Sequence, residues 1–219
     1  MTSLAVGPTL RRPDGLCFHP QDACRHLRRV DPHLAALMGR VGAFNMRPQP
    51  TQSLFTALLR SIVYQQLSGT AAATILGRVN ALFPRSFPVP GQLLEIPPER
   101  LRGAGLSTAK TAAVRDLAQR TLDGTIPSLA QIRLLEDEEI IERLTVVRGI
   151  GRWTAEMLLI FRLGRPDVLP LSDLGVRKGF GLTFRTRKLP SPSIMTRRGE
   201  RWRPYRSVAS WYLWRALEL

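Results

Sequence analysis

The residues able to do chemistry concentrate toward the C-terminal end. In "GRPDVLPLSDLGVRKG", Ser172 and Asp173 stand at the start of a predicted helix after an apolar, proline-bearing approach. A carboxylate there can simply cap the helix, or it can face a positive charge developing on a substrate. About twenty residues earlier, "VRGIGRWTAEM" (147–157) sets Gly149 and Gly151 between a charged helical run and an apolar one. Such a turn lets backbone N–H groups face outward at a helix start, where with the helix dipole they bind phosphate without a side chain. Thr154 can add a hydroxyl, whereas a plain helix connection would show the same glycine spacing. Tyr64, Trp153, Tyr205 and Trp214 are candidates for an electron-rich pocket, worth about 0.5 to 2 kcal/mol per ring toward a cationic ligand. Trp211 and Trp214, at helical spacing, can equally be core.

Helices must position these groups. Asp31 as cap and Pro32 in the first turn open a helix that should close near Gly39. Leu54, Leu58 and Ile62 recur at four-residue spacing, the run breaks at Ser68-Gly69, and a second helix is predicted over 70–82. The intervening "QQLS" forms a polar elbow. Short helices are expected at 90–94, 97–103, 107–124 and 128–132, and "EDEEIIERLTVV" leads into the glycine turn, after which a helix should run through 152–163. Residues 184–204, dense in Arg and Pro, read as a loop with one or two short turns. No segment alternates apolar and polar residues long enough for a strand, so the expected fold class is all-α.

The formal charge is +15, from 32 Lys and Arg against 17 Asp and Glu. That excess favours nucleic acid as partner through release of condensed counterions. A GC-rich genome would account for Arg over Lys but not for bases over acids. Cys17 and Cys24 each precede a histidine by two residues, which invites a metal. On one helix, however, they would stand roughly 10.5 Å apart, against the about 4 Å between two ligands of one zinc. No apolar run approaches the ~20 residues of a membrane span, and "MTSLAVGPTLRRPDG" lacks the apolar core of a signal peptide. The expected location is cytoplasmic, associated with the nucleoid if the nucleic acid is DNA.

Four motifs in order, "SIVYQQLSGTAAATI", "LRGAGLSTAKTAAVRDLA", "VRGIGRWTAEMLLIFRLGRPDVLPLSDLGVRKG" and "ERWRPYRSVASWYLWRAL", resemble the AlkA-type 3-methyladenine DNA glycosylase II branch of the helix-hairpin-helix DNA glycosylases, over about residues 44–217. The resemblance implies a single domain, 1–219, of two helical lobes: one about 54–165, the other about 1–53 plus 166–219, with the DNA-binding cleft between them. It implies Asp173 as catalytic, and Gly149 and Gly151 as phosphate contacts. It places a monovalent Na or K ion on the carbonyls of Thr145, Val147 and Ile150, puts Trp153 and Trp214 in the base pocket, and puts the duplex wedge in the elbow at Gln66. No other cofactor is implied, and a monomer acting on double-stranded DNA with alkylated bases is expected.

Relatives that also cut the backbone carry lysine where Trp153 stands, because a Schiff base needs an amine. The expected activity is therefore monofunctional excision of alkylated purines, 3-methyladenine and 7-methylguanine among them. A bifunctional glycosylase/lyase and a non-catalytic DNA-binding module are the alternatives.

Overall fold

The computed structural model describes residues 12–219, so most of the opening stretch read for a signal peptide lies outside the described residues. Among these residues the chain is helical, with no strand. Pro20–Val30 (α1) and Pro32–Val41 (α2) come first. Leu54–Tyr64 (α3), Gly69–Asn80 (α4), Pro90–Glu95 (α5), Pro98–Gly103 (α6), Thr108–Leu122 (α7), Leu129–Ile132 (α8) and Asp137–Thr145 (α9) follow. Arg152–Leu158 (α10) continues as a π-helical turn over Leu159–Leu163, and Leu174–Phe184 (α11), Pro192–Gly199 (α12) and Arg206–Arg215 (α13) complete the chain. Two compact units result: Met1–Pro50 with Glu156–Leu219, and Thr51–Ala155.

The first unit is organised around a buried charge. Asp31 caps α2 by accepting the N–H groups of His33 and Leu34 at 3.2 and 3.3 Å. Its two oxygens also accept Arg198 Nε and Nη2, both at 2.8 Å, and Trp202 Nε1 at 3.0 Å. Burial pushes this carboxyl up, but the bonds from Arg198, Trp202 and Leu34 outweigh it and leave the group below its usual value. Leu27, Leu34, Met38, Phe180, Trp202 and Tyr212 of the same unit are all buried. In the second unit, α7 lies against α3 and α5, burying Leu58, Ile62, Val114 and Leu117.

Two local expectations change. Helix α2 passes through Gly39 and ends at Gly42, whose φ of 90° is one that glycine adopts without strain. The expected loop at 184–204 contains α12, because Ser191 accepts the Ile194 N–H and Pro192 presets the first turn. Cys17 precedes α1 and donates to the Leu163 carbonyl at 3.3 Å, whereas the Cys24 thiol lies 3.7 Å from the Tyr212 hydroxyl. Among the described residues no cluster of His, Cys, Asp and Glu could hold a metal, and no helix is long and apolar enough to cross a membrane.

Candidate functional site

In the first unit the site forms between α11 and α13. Asp173 is the N-cap of α11, and its Oδ1 accepts the Val176 N–H at 2.7 Å and Trp214 Nε1–H at 2.8 Å. The approach is fastened to α13 as well. Ser207 Oγ accepts the Val168 N–H at 2.9 Å and Ser210 Oγ donates to the Val168 carbonyl at 3.3 Å. Ser207, Ser210 and Trp214 stand at three- and four-residue steps, so one face of α13 holds both the approach and the carboxylate. The Trp214 ring lies over Gly175, where an added Cβ would come within 2.8 Å of its Cδ1. On its other contacts it meets Phe161, in the π-helical turn, with ring centroids 5.4 Å apart. π-Helical turns recur at functional sites because they re-aim side chains within a helix.

The tryptophans therefore divide. Trp202 and Trp211 are core, at 0% and 7% exposure, while Trp153 is 45% exposed and Trp214 half-buried beside Asp173. The Tyr205 ring packs on Phe18 and His26, at 6.1 and 5.6 Å. Arg185, Arg187, Lys188, Arg197 and Arg201 are exposed bases of this unit.

In the second unit the hairpin joins α9 to α10. Buried Val147 and Ile150 anchor the turn, with the Ile150 N–H donating to the Val147 carbonyl at 3.0 Å. Gly149 between them has φ of 78°, which a β-carbon would strain. Gly151 has no positive φ, and a Cβ there would meet nothing within 4 Å. Its carbonyl accepts the first bond of α10, from Ala155 at 3.2 Å, so its missing side chain opens the helix start to a close ligand. Thr154 departs from the expected phosphate hydroxyl: it is 6% exposed, turned to the packed side of the first turn.

The elbow faces solvent in the same unit. Gln66 is exposed with φ of 57°, a left-handed conformation costing roughly 1–2 kcal/mol for a residue with a β-carbon. Tyr64, at the end of α3, has the Arg60 guanidinium 3.9 Å over its ring. Gln65 Nε2 donates to the Gly149 carbonyl at 2.8 Å, joining elbow and hairpin directly.

A family model described as HhH-GPD superfamily base excision DNA repair protein matches residues 59–204. The chain belongs to this superfamily. Among curated relatives, "DNA-3-methyladenine glycosylase 1" of Schizosaccharomyces pombe is 36% identical, over 89% of this chain and 86% of its own. A solved S. pombe 3-methyladenine DNA glycosylase in complex with abasic DNA aligns with a TM-score of 0.79 at 36% identity, covering 90% of this chain and 97% of that one. A Bacillus halodurans DNA-3-methyladenine glycosidase aligns at 0.81 and 34% identity, covering 89% and 88%. The matched span includes the glycine turn, and the all-α expectation holds among the described residues.

Sequence reasoning missed several groups around these sites. Phe161 and Ser207 carried no pattern of their own. Nor did Lys110 and Asp116, which grip the elbow and the hairpin from distant positions.

Proposed function

We propose that this HhH-GPD protein is a monofunctional DNA glycosylase that excises alkylated purines, 3-methyladenine and 7-methylguanine among them, from double-stranded DNA. The observation that carries the reading is the Asp173–Trp214 hydrogen bond, 2.8 Å long and on the same oxygen that caps α11. A cap alone needs only the backbone donor. The indole gives the carboxylate a second fixed direction beside an aromatic ring, which suits a group that must face a sugar cation.

Extruding the damaged nucleotide makes its glycosidic bond reachable. Gln66 fills the vacated stack, and the N–H groups at Gly149 and Gly151 grip a backbone phosphate. Methylation at N3 or N7 leaves a cationic purine, a better leaving group that the rings of Trp153 and Trp214 attract. As the bond breaks, Asp173 stabilises the oxocarbenium character or orients water. Thr145, Val147 and Ile150 would hold the Na or K ion through neutral carbonyls, that of Thr145 at the C-terminal, negative end of α9. The Val147 carbonyl already accepts one hydrogen bond in the turn and keeps a lone pair for an ion. Such an ion would supply positive charge near the phosphate. Action as a monomer, in the cytoplasm, accompanies the reading.

The test is release of free base from methylated duplex DNA by the wild type and by Asp173→Asn. The wild type should release base and leave the strand intact until alkali is added. Asp173→Asn should lose excision by orders of magnitude while binding DNA, and near wild-type excision would reduce Asp173 to a cap.

A further inference from the structure

Helix α7 touches both the elbow and the hairpin of the second unit with one face. Lys110, Ala113 and Asp116 follow at three-residue steps, which align side chains along a helix. At one end, Lys110 Nζ donates to the carbonyls of Val63 at 2.8 Å and Gln65 at 2.7 Å. These sit at the C-terminal end of α3 and its cap, immediately before Gln66. In the middle, the Ala113 methyl lies 3.4 Å from where a Cβ on Gly149 would stand. At the other end, Asp116 Oδ2 accepts the Arg148 N–H at 2.7 Å, with Arg120 Nε holding the same carboxylate at 3.0 Å. The bond from Gln65 Nε2 to the Gly149 carbonyl closes the circuit.

The chemistry of the Lys110 end fits a geometric task. The last carbonyls of a helix lack intrahelical donors and carry the negative end of its dipole, so an ammonium ion is well suited to them. It serves two of them at once, which fixes the direction in which the chain leaves α3. The next residue is Gln66 in its strained φ, a conformation that persists only where the surroundings over-determine it.

We propose that Lys110 is a positioning residue for base extrusion, holding the Gln66 elbow at a set distance and orientation from the hairpin while Asp116 secures the hairpin end of the same brace. The inference rests on the reading that Gln66 enters the duplex and the hairpin grips phosphate. Burial lowers the basicity of Lys110, as expected for an ammonium group withdrawn from water to serve carbonyls. A loosely held elbow must be ordered when it enters the stack, which slows extrusion; hydrolysis of a base already out of the stack does not depend on it.

The experiment compares single-turnover excision of 7-methylguanine from two duplexes of one sequence, with the lesion opposite cytosine or opposite a tetrahydrofuran gap. Lys110→Met keeps the apolar stem and removes the donor. It should lose roughly tenfold on the paired lesion, the scale of one charged hydrogen bond, and less than about twofold opposite the gap. Equal loss on both duplexes, or none on either, overturns the proposal. If Lys110→Met does not fold, Lys110→Gln, which keeps a polar donor but loses the charge and the reach to serve both carbonyls, carries the same test with the same outcomes. Gln66→Ala separates this idea from its premise. Should Gln66→Ala excise the paired lesion at the wild-type rate, the wedge reading fails and the proposal with it; should it show the pairing-dependent loss while Lys110→Met does not, the brace alone is wrong.

Discussion

Trp214 donates its indole N–H to Asp173 Oδ1 at 2.8 Å, the oxygen that also accepts the Val176 N–H of α11. One oxygen thus carries two fixed donors, one from its own helix and one from α13. Trp214→Phe keeps an aromatic ring beside the carboxylate but removes that donor. A hydrogen bond to a charged group contributes about 1.5–3 kcal/mol, so single-turnover excision should fall by about tenfold or more. Thermal unfolding should change little. Full activity in Trp214→Phe would show that the cap alone orients Asp173.

Gly175 tests the same pair from below. Its φ is ordinary, so alanine is conformationally allowed, but the new Cβ would lie 2.8 Å from Trp214 Cδ1 and 3.1 Å from Asp173 Oδ1. The indole must shift, and the hydrogen bond with it. Gly175→Ala is expected to reduce excision to the level of Trp214→Phe and to alter tryptophan fluorescence. Unchanged excision would mean that the ring's position tolerates displacement.

Local signals were legible where local chemistry decides structure. Asp31-Pro32, Ser68-Gly69 and the hairpin glycines mark real starts and stops, because a cap or a left-handed φ acts over a few residues. Gly39 misled for the same reason: a glycine inside a helix resembles one at its end until Gly42 takes the positive φ. Helix α12 was hidden by its Arg and Pro content, though Ser191-Pro192 is an ordinary start signal. Its anchor, Arg198 on Asp31, spans 167 residues. The candidate site divides likewise. Asp173 stands out by its motif, but which of Trp211 and Trp214 meets it depends on the rotation of α13, and Lys110 finds Gln65 across 45 residues. Pairings of that range leave no mark in a single sequence.

Asp31 predicts an acid limit to stability. Its pKa in the folded protein lies below the ordinary 3.8, so between the two values the unfolded chain binds the proton more readily than the folded one. The stabilisation is fully present above the unfolded value and is lost as pH falls through the folded one. Chemical denaturation followed by tryptophan fluorescence between about pH 6 and pH 2.5 should show the loss beginning below about pH 4. Asp31→Asn should be less stable near neutrality, since Arg198 would be left without its charged partner, and should flatten this part of the acid profile. An unaltered acid profile in Asp31→Asn would assign the loss to other carboxylates.

The side chain at position 153 supplies a test of the fate of the DNA strand. Trp153 is 45% exposed, so its ring is not part of the buried core. It has no amine with which to condense with the sugar, and the lysine in the same unit, Lys110, donates to the carbonyls of Val63 and Gln65. Borohydride should therefore trap no covalent complex, and product strands should break only with alkali. Trapping would sink the monofunctional reading. Trp153→Lys sharpens the test by removing the ring and supplying the amine at one position. Loss of excision without trapping would support a pocket role for the ring. Weak trapping would place the residue 153 side chain within reach of the sugar C1′. Wild-type excision without trapping would remove Trp153 from the pocket and leave Trp214 as the principal ring that stacks on the extruded base.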